Sequence, residues 1–175
     1  MNYVAKEDVK NFPLIKFSGN VHVIDNNKDI LSCYKVLSQA DVIGFDTETK
    51  PSFKKGVFHP TSLIQLSYKN DIFLFRLNKI GLVQEIIDIL INPNILKVGI
   101  DIKNDLLDLK KIHFFSESNF IDLNSLAIEK GFKSIGAVKL SIMADRINAN
   151  QQKIHNNFVF FFVLMNFLIV ENPLK

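Results

Sequence analysis

Tryptophan is missing from the 175 residues, cysteine occurs once, and tyrosine stands only at positions 3, 34 and 68. A lone Cys33 excludes an intramolecular disulfide and gives no sign of an oxidising compartment. Seven glycines and five prolines are too few for a collagen-like or low-complexity chain. Charge of one sign is not in large excess either: 21 Lys and Arg against 18 Asp and Glu leave a formal net charge of +3. That balance permits a polyanionic partner without demanding one. The first residues, Met-Asn-Tyr-Val-Ala-Lys-Glu-Asp, have no apolar stretch of the signal-peptide kind, so the expected location is cytoplasmic. One long apolar run stands near the end, the thirteen residues 158–170 with Asn166 as their polar member. A membrane helix needs about 20, so stable insertion is not expected. The run reads as a buried core element, a membrane-surface segment, an aggregation-prone tail, or a tail without selected structure; its Phe, Ile, Asn and Leu, residues of A/T-rich codons, favour the last.

What is present is the composition of a globular protein, 47% hydrophobic and 22% charged. The length suits one domain. We expect an arm over residues 1–20, a body over 21–150 and an atypical tail over 151–175.

The body is organised around Asp41-Val42-Ile43-Gly44-Phe45-Asp46-Thr47-Glu48-Thr49-Lys50. Val42, Ile43 and Phe45 read as a buried strand, and alternate residues of a strand share a face, so Asp46 and Glu48 point the same way. Two carboxylates aimed at one spot repel unless a cation lies between them. A hard divalent ion, Mg²⁺ or Mn²⁺, suits oxygen ligands. The same acids also suit a solvated loop, and Asp-x-Glu alone does not separate the two readings. The loop that follows, Pro51 to Pro60, carries Lys54 and Lys55 with Lys50 before them and His59 near its end. Its cations are placed either to hold phosphates or simply to face solvent; His59 reads as a surface residue.

A short strand at Val21 to Ile24 is followed by the capping-type residues Asp25-Asn26-Asn27, and Lys28 to Gln39 has helical spacing, with Cys33 as core filler. Leu63 to Tyr68 and Ile72 to Leu77 flank Lys69-Asn70-Asp71 as a hairpin. Val83, Ile86, Ile87 and Leu90 define a helix ending before Asn92-Pro93, and Leu96 to Ile100 is a further strand. A helix follows from Asp101 through Ile112. Phe120 to Leu123 is a brief strand, and short helices are expected at Leu126 to Lys130 and Val138 to Ile147. The order predicts an α/β domain with a mixed five-stranded sheet, three antiparallel strands and then parallel ones, flanked by helices. Asp105, in the first turns after a strand end, is placed to reach Asp46 and Glu48; Asp101, expected to cap the helix, and Asp108 are its rivals.

These segments in this order, Ile43 to Thr49, Leu63-Ile64-Gln65-Leu66, Phe73-Leu74-Phe75, Lys97-Val98-Gly99-Ile100 with Asp105, and Phe120-Ile121-Asp122-Leu123, resemble the DEDD-type 3′–5′ exonuclease domain of the ribonuclease D and Werner-syndrome-type group. The resemblance implies an RNase H-like fold and removal of nucleotides from the 3′ end of DNA or RNA, with two Mg²⁺ or Mn²⁺ ions held by four acids. By position, Asp46 and Glu48 match the first motif and Asp105 the second, as metal-binding catalytic residues. Thr47 and Thr49 would lie beside the terminal nucleotide, with Lys54 and Lys55 as further substrate contacts, and Asp122 reads as a helix cap. The third motif of the group, Tyr-x-x-x-Asp, has no match here, and after Asp145 the sole acid is Glu171. That departure implies impaired activity. The competing expectations are a non-catalytic nucleic-acid-binding or scaffold module that keeps the fold, and a membrane-associated protein held by residues 158–170.

Overall fold

The computed structural model describes residues 19–54 and 56–129. The expected arm (apart from residues 19 and 20), Lys55, the helix at Val138 to Ile147 and the tail over 151–175 lie outside these residues. The chain divides into two compact units, one of Gly19–Ile121 and another that takes in Asp122 onward.

In the first unit, β1 (Asn20–Ile24) leads to α1 (Ile30–Leu37), and then come β2 (Val42–Thr49), β3 (Thr61–Tyr68) and β4 (Asp71–Arg76). After these follow α2 (Leu77–Ile80), α3 (Gln84–Ile91), β5 (Leu96–Gly99), α4 (Ile102–Ile112) and β6 (Phe120–Asp122). The strands form one mixed sheet in the order β1-β4-β3-β2-β5-β6. It has six strands where five were expected, because Val21 to Ile24 joins the sheet. β1 pairs in parallel with β4 from Asn20↔Asp71 to Ile24↔Phe75, and the Asp71 carboxylate accepts a bond from the Asn20 amide at 3.0 Å and lies 2.7 Å from the His22 ring nitrogen.

The three-strand meander is as expected: β2 pairs antiparallel with β3, and β3 antiparallel with β4. The turn between β3 and β4 passes through Lys69 at φ 54°. β3 is buried along most of its length, so the middle of the sheet is covered on both faces. Phe45, Phe75, Ile64, Leu66 and Leu90 lie at the heart of the core, with α1 against α3. Cys33 is buried in that core, and burial pushes its thiol pKa up, away from reactivity. α2, a single turn, has no counterpart in the sequence reading. Asp25 to Asn27 do not cap α1, whose N-cap position is taken by Asp29 without a side-chain bond.

The second unit is described from Asp122 through α5 (Leu123–Glu129). The Asp122 carboxylate accepts from the backbone N–H of Asn124 at 2.8 Å and of Ser125 at 3.2 Å, which is the capping role expected of it. Among the described residues no helix is long and apolar enough to cross a membrane.

Candidate metal and nucleic-acid site

β2 carries the site because its two halves differ. Ile43, Gly44 and Phe45 are buried and anchor the strand, while Asp46 and Glu48 are half-buried at its C-terminal end. Both belong to one face by alternation, with buried Thr47 between them. The neighbouring strand sets what lies beside them. Asp46 pairs with Gln65 and Glu48 with Leu63, after which the register shifts and Thr49 pairs with Thr61. The Ser62 hydroxyl donates to the Glu48 carbonyl at 3.0 Å and ties β3 to this end of β2.

Asp105 arrives by a different route. β5 runs parallel to β2 and its pairing stops at Gly44↔Val98, two residues of β2 before Asp46. A Cβ at Gly99 would lie 2.1 Å from Ile102 Cγ2 and 2.8 Å from the Phe45 carbonyl oxygen. Only glycine lets the first residue of α4 settle so close to the sheet, and Asp105 then falls in the first turn of that helix, which lies against β2 and β3. Asp101 occupies the N-cap position but makes no side-chain cap bond, contrary to expectation. Its backbone is left-handed, φ 56° and ψ 33°, whereas a capping side chain needs an extended one. Asp108 is ion-paired with Lys111 at 2.5 Å on the exposed side of α4, and it is not among the charges that raise Asp46 and Glu48.

The Thr47 hydroxyl donates to Asp105 Oδ1 at 2.5 Å. Thr47 is expected beside the nucleotide, but this bond has no signature in the sequence, because only the packing of α4 on β2 brings the two residues together. The electrostatics show how tightly the acids are grouped. Burial, then the charges of Asp105 and Glu48, raise the Asp46 pKa to about 7. Burial and the Asp105 charge likewise raise that of Glu48. Asp46 and Glu48, both raised by the Asp105 charge, make with it an oxygen-rich, negatively charged set of the kind that suits a hard divalent cation. As they stand they are not closed around one: among the described residues no three His, Cys, Asp or Glu side chains are grouped to hold a metal ion.

Gln65 is a residue whose place sequence reasoning missed. It is 1% exposed, its side-chain Nε2 has no hydrogen-bond partner, and it lies directly across from Asp46. Directly opposed residues share a face of the sheet, with Cβ atoms about 5 Å apart. A glutamine inside an otherwise apolar Leu-Ile-Gln-Leu run was the available signal. Thr49 and Lys54 are exposed, Thr49 at the rim and Lys54 in the loop beyond, and Lys55 lies outside the described residues.

A family model described as 3′–5′ exonuclease matches residues 21–155. The mouse bifunctional 3′–5′ exonuclease/ATP-dependent helicase WRN is 27% identical over 126 residues, which are 69% of this chain and 9% of that protein. Among solved structures, the catalytic core of RRP6 from Trypanosoma brucei superposes with a TM-score of 0.65 at 16% identity, over 92% of this chain and 50% of that one. The EXD2 exonuclease domain, in a crystal soaked in Mn, gives 0.55 at 26% identity over 63% and 60%.

Proposed function

We propose, from the premise that this chain belongs to the 3′–5′ exonuclease family, that it hydrolyses nucleotides from the 3′ end of a DNA or RNA strand with the help of Mg²⁺ or Mn²⁺. One observation carries the reading: Asp46 and Glu48 share a face at the end of β2, and Asp105 on α4 is near enough to raise the pKa of both. The donor set fits a divalent cation in kind, being all carboxylate oxygen. Asp46, Glu48 and Asp105 would hold the ions, which when bound polarise the phosphoryl oxygens and lower the pKa of a bound water.

The chain's own residues supply the rest. Asp46 and Glu48 stay fixed because β2 is paired on both sides at its base. Thr47 orients Asp105 through its hydroxyl. Thr49 at the rim lies beside the terminal nucleotide, and Lys54, with Lys55 beside it in sequence, faces its phosphates. In the reaction a water oxygen bonds to phosphorus as the phosphorus–oxygen bond to the penultimate 3′-oxygen breaks, and that oxygen takes a proton. The resemblance implies a fourth acid from a Tyr-x-x-x-Asp motif, which the 175 residues do not contain, and a low rate is expected.

The second reading, a nucleic-acid-binding module that keeps the fold without catalysis, is favoured by the lack of a Tyr-x-x-x-Asp motif in the sequence. A single assay separates them. Single-stranded DNA and RNA labelled at the 5′ end, incubated with the chain and Mg²⁺ or Mn²⁺, are expected to shorten stepwise from the 3′ end, and Asp46→Ala removes the shortening. No shortening, or shortening that survives Asp46→Ala, defeats the proposal.

A further inference from the structure

The loop between β2 and β3 exposes two phenylalanines; among the described residues Phe114, at 79%, is also exposed, but it lies alone after α4. Phe53 is 95% exposed and Phe58 91%, against 0% for Phe45, 1% for Phe75 and 4% for Phe73 and Phe115. The loop is closed by a turn in which the Val57 N–H donates to the Lys54 carbonyl at 3.2 Å. Gly56 takes its third position at φ 82°, a left-handed backbone that favours glycine. The Ser52 hydroxyl donates to the same Lys54 carbonyl at 3.0 Å. Residues 53 and 58 directly flank this closed turn, whose own ends, Lys54 and Val57, lie within about 7 Å of each other. Both rings stand clear of the body, and the exposed Lys50 and Lys54 lie beside them in the chain.

The loop starts where the acids end. Phe53 is five positions beyond Glu48, at most about 18 Å of extended chain. An exposed aromatic pair costs solvation unless it meets a partner with flat apolar faces. Here the flanking charge is positive, as a polyanion requires, and every base has a face on which an aromatic ring stacks.

We propose that Phe53 and Phe58 form a base-stacking platform that receives the unpaired nucleotides leading into the carboxylate site. The proposal rests on the reading of that site as one for nucleic acid. It does not depend on hydrolysis, because stacking needs neither the cation nor the acids.

The test is binding of the full chain to a fluorescent single-stranded DNA oligonucleotide in the presence of a chelator, followed by anisotropy. A second probe has the same length and phosphates with abasic sugars throughout. The wild-type chain is expected to bind the probe with bases about tenfold or more tighter than the abasic one. Phe53→Ala/Phe58→Ala is expected to lose that preference and to keep the salt-sensitive binding that both probes share. Phe53→Trp/Phe58→Trp keeps the preference, which shows that the loop's fold is not what was lost. No preference in the wild type overturns the proposal, as does a preference that survives the double alanine change. Self-association lost in the double alanine chain, with no base preference in the wild type, would assign the rings to a protein contact and overturn it as well. A chain that prefers bases but shortens no strand defeats the exonuclease reading alone.

Discussion

Asp46 is held at the cost of stability. Its pKa is raised from 3.8 to about 7 by burial and by the charges of Asp105 and Glu48, so the folded chain binds a proton more readily than the unfolded one. The linkage follows in sign: the contribution to stability is complete below pH 3.8 and is lost as pH rises through about 7. Asp46→Asn removes the charge and keeps the shape. We expect it to raise the metal-free stability at pH 8 by about 1–3 kcal/mol in urea unfolding. Thr47→Val leaves Asp105 without its hydroxyl donor and is expected to cost about 1 kcal/mol more than Thr47→Ser in the same measurement. The alternation of Asp46 and Glu48 was legible in the sequence, because strand periodicity needs no knowledge of neighbours. The bond from Thr47 to Asp105 and the buried Gln65 were not, since each depends on a partner from a different element.

The junction of β5 and α4 is the element on which the site most depends. Gly99→Ala would drive a methyl against Ile102 and the Phe45 carbonyl, and one of those contacts is backbone. It is expected to cost about 1–3 kcal/mol by thermal unfolding, and to displace α4, and Asp105 with it. Lys97 in β5 is another feature that periodicity hides, a cation in what reads as an apolar strand. It is 0% exposed, donates to the carbonyls of Asn92 at 2.7 Å and Ile95 at 2.8 Å, and lies 5.0 Å from the centre of the Phe120 ring. Burial lowers its pKa from 10.5 to about 8, so the folded chain gives up this proton before the unfolded one does. Its penalty is complete below about pH 8 and fades as pH rises towards 10.5. Stability followed between those pH values is expected to rise in the wild type, and that part of the rise is absent from Lys97→Met. The strands and the longer helices were legible from their spacing. α2 was not, because one turn has no period to detect, and β1 was seen as a strand without a partner because its parallel pairing with β4 spans 51 residues of sequence.

Across the whole molecule, sheet order converts scattered residues into one site. β2 lies between β3 and β5, so Gln65 comes to it from an antiparallel neighbour and Asp105 from beyond a parallel one. The order of elements along the chain made the mixed sheet legible; it did not give the place of β1 beside β4, which spans distant parts of the sequence. The loop rings were passed over for a related reason, since a phenylalanine in a sequence reads as core until its exposure is known. If Asp46, Glu48 and Asp105 hold a divalent cation as proposed, the cation relieves the crowding of their charges. The measurement is thermal unfolding at pH 8 with and without Mn²⁺, on the wild type and Asp46→Asn. Mn²⁺ is expected to raise the wild-type midpoint, and Asp46→Asn to start higher and gain little. An equal gain in both chains, or none in the wild type, would contradict it.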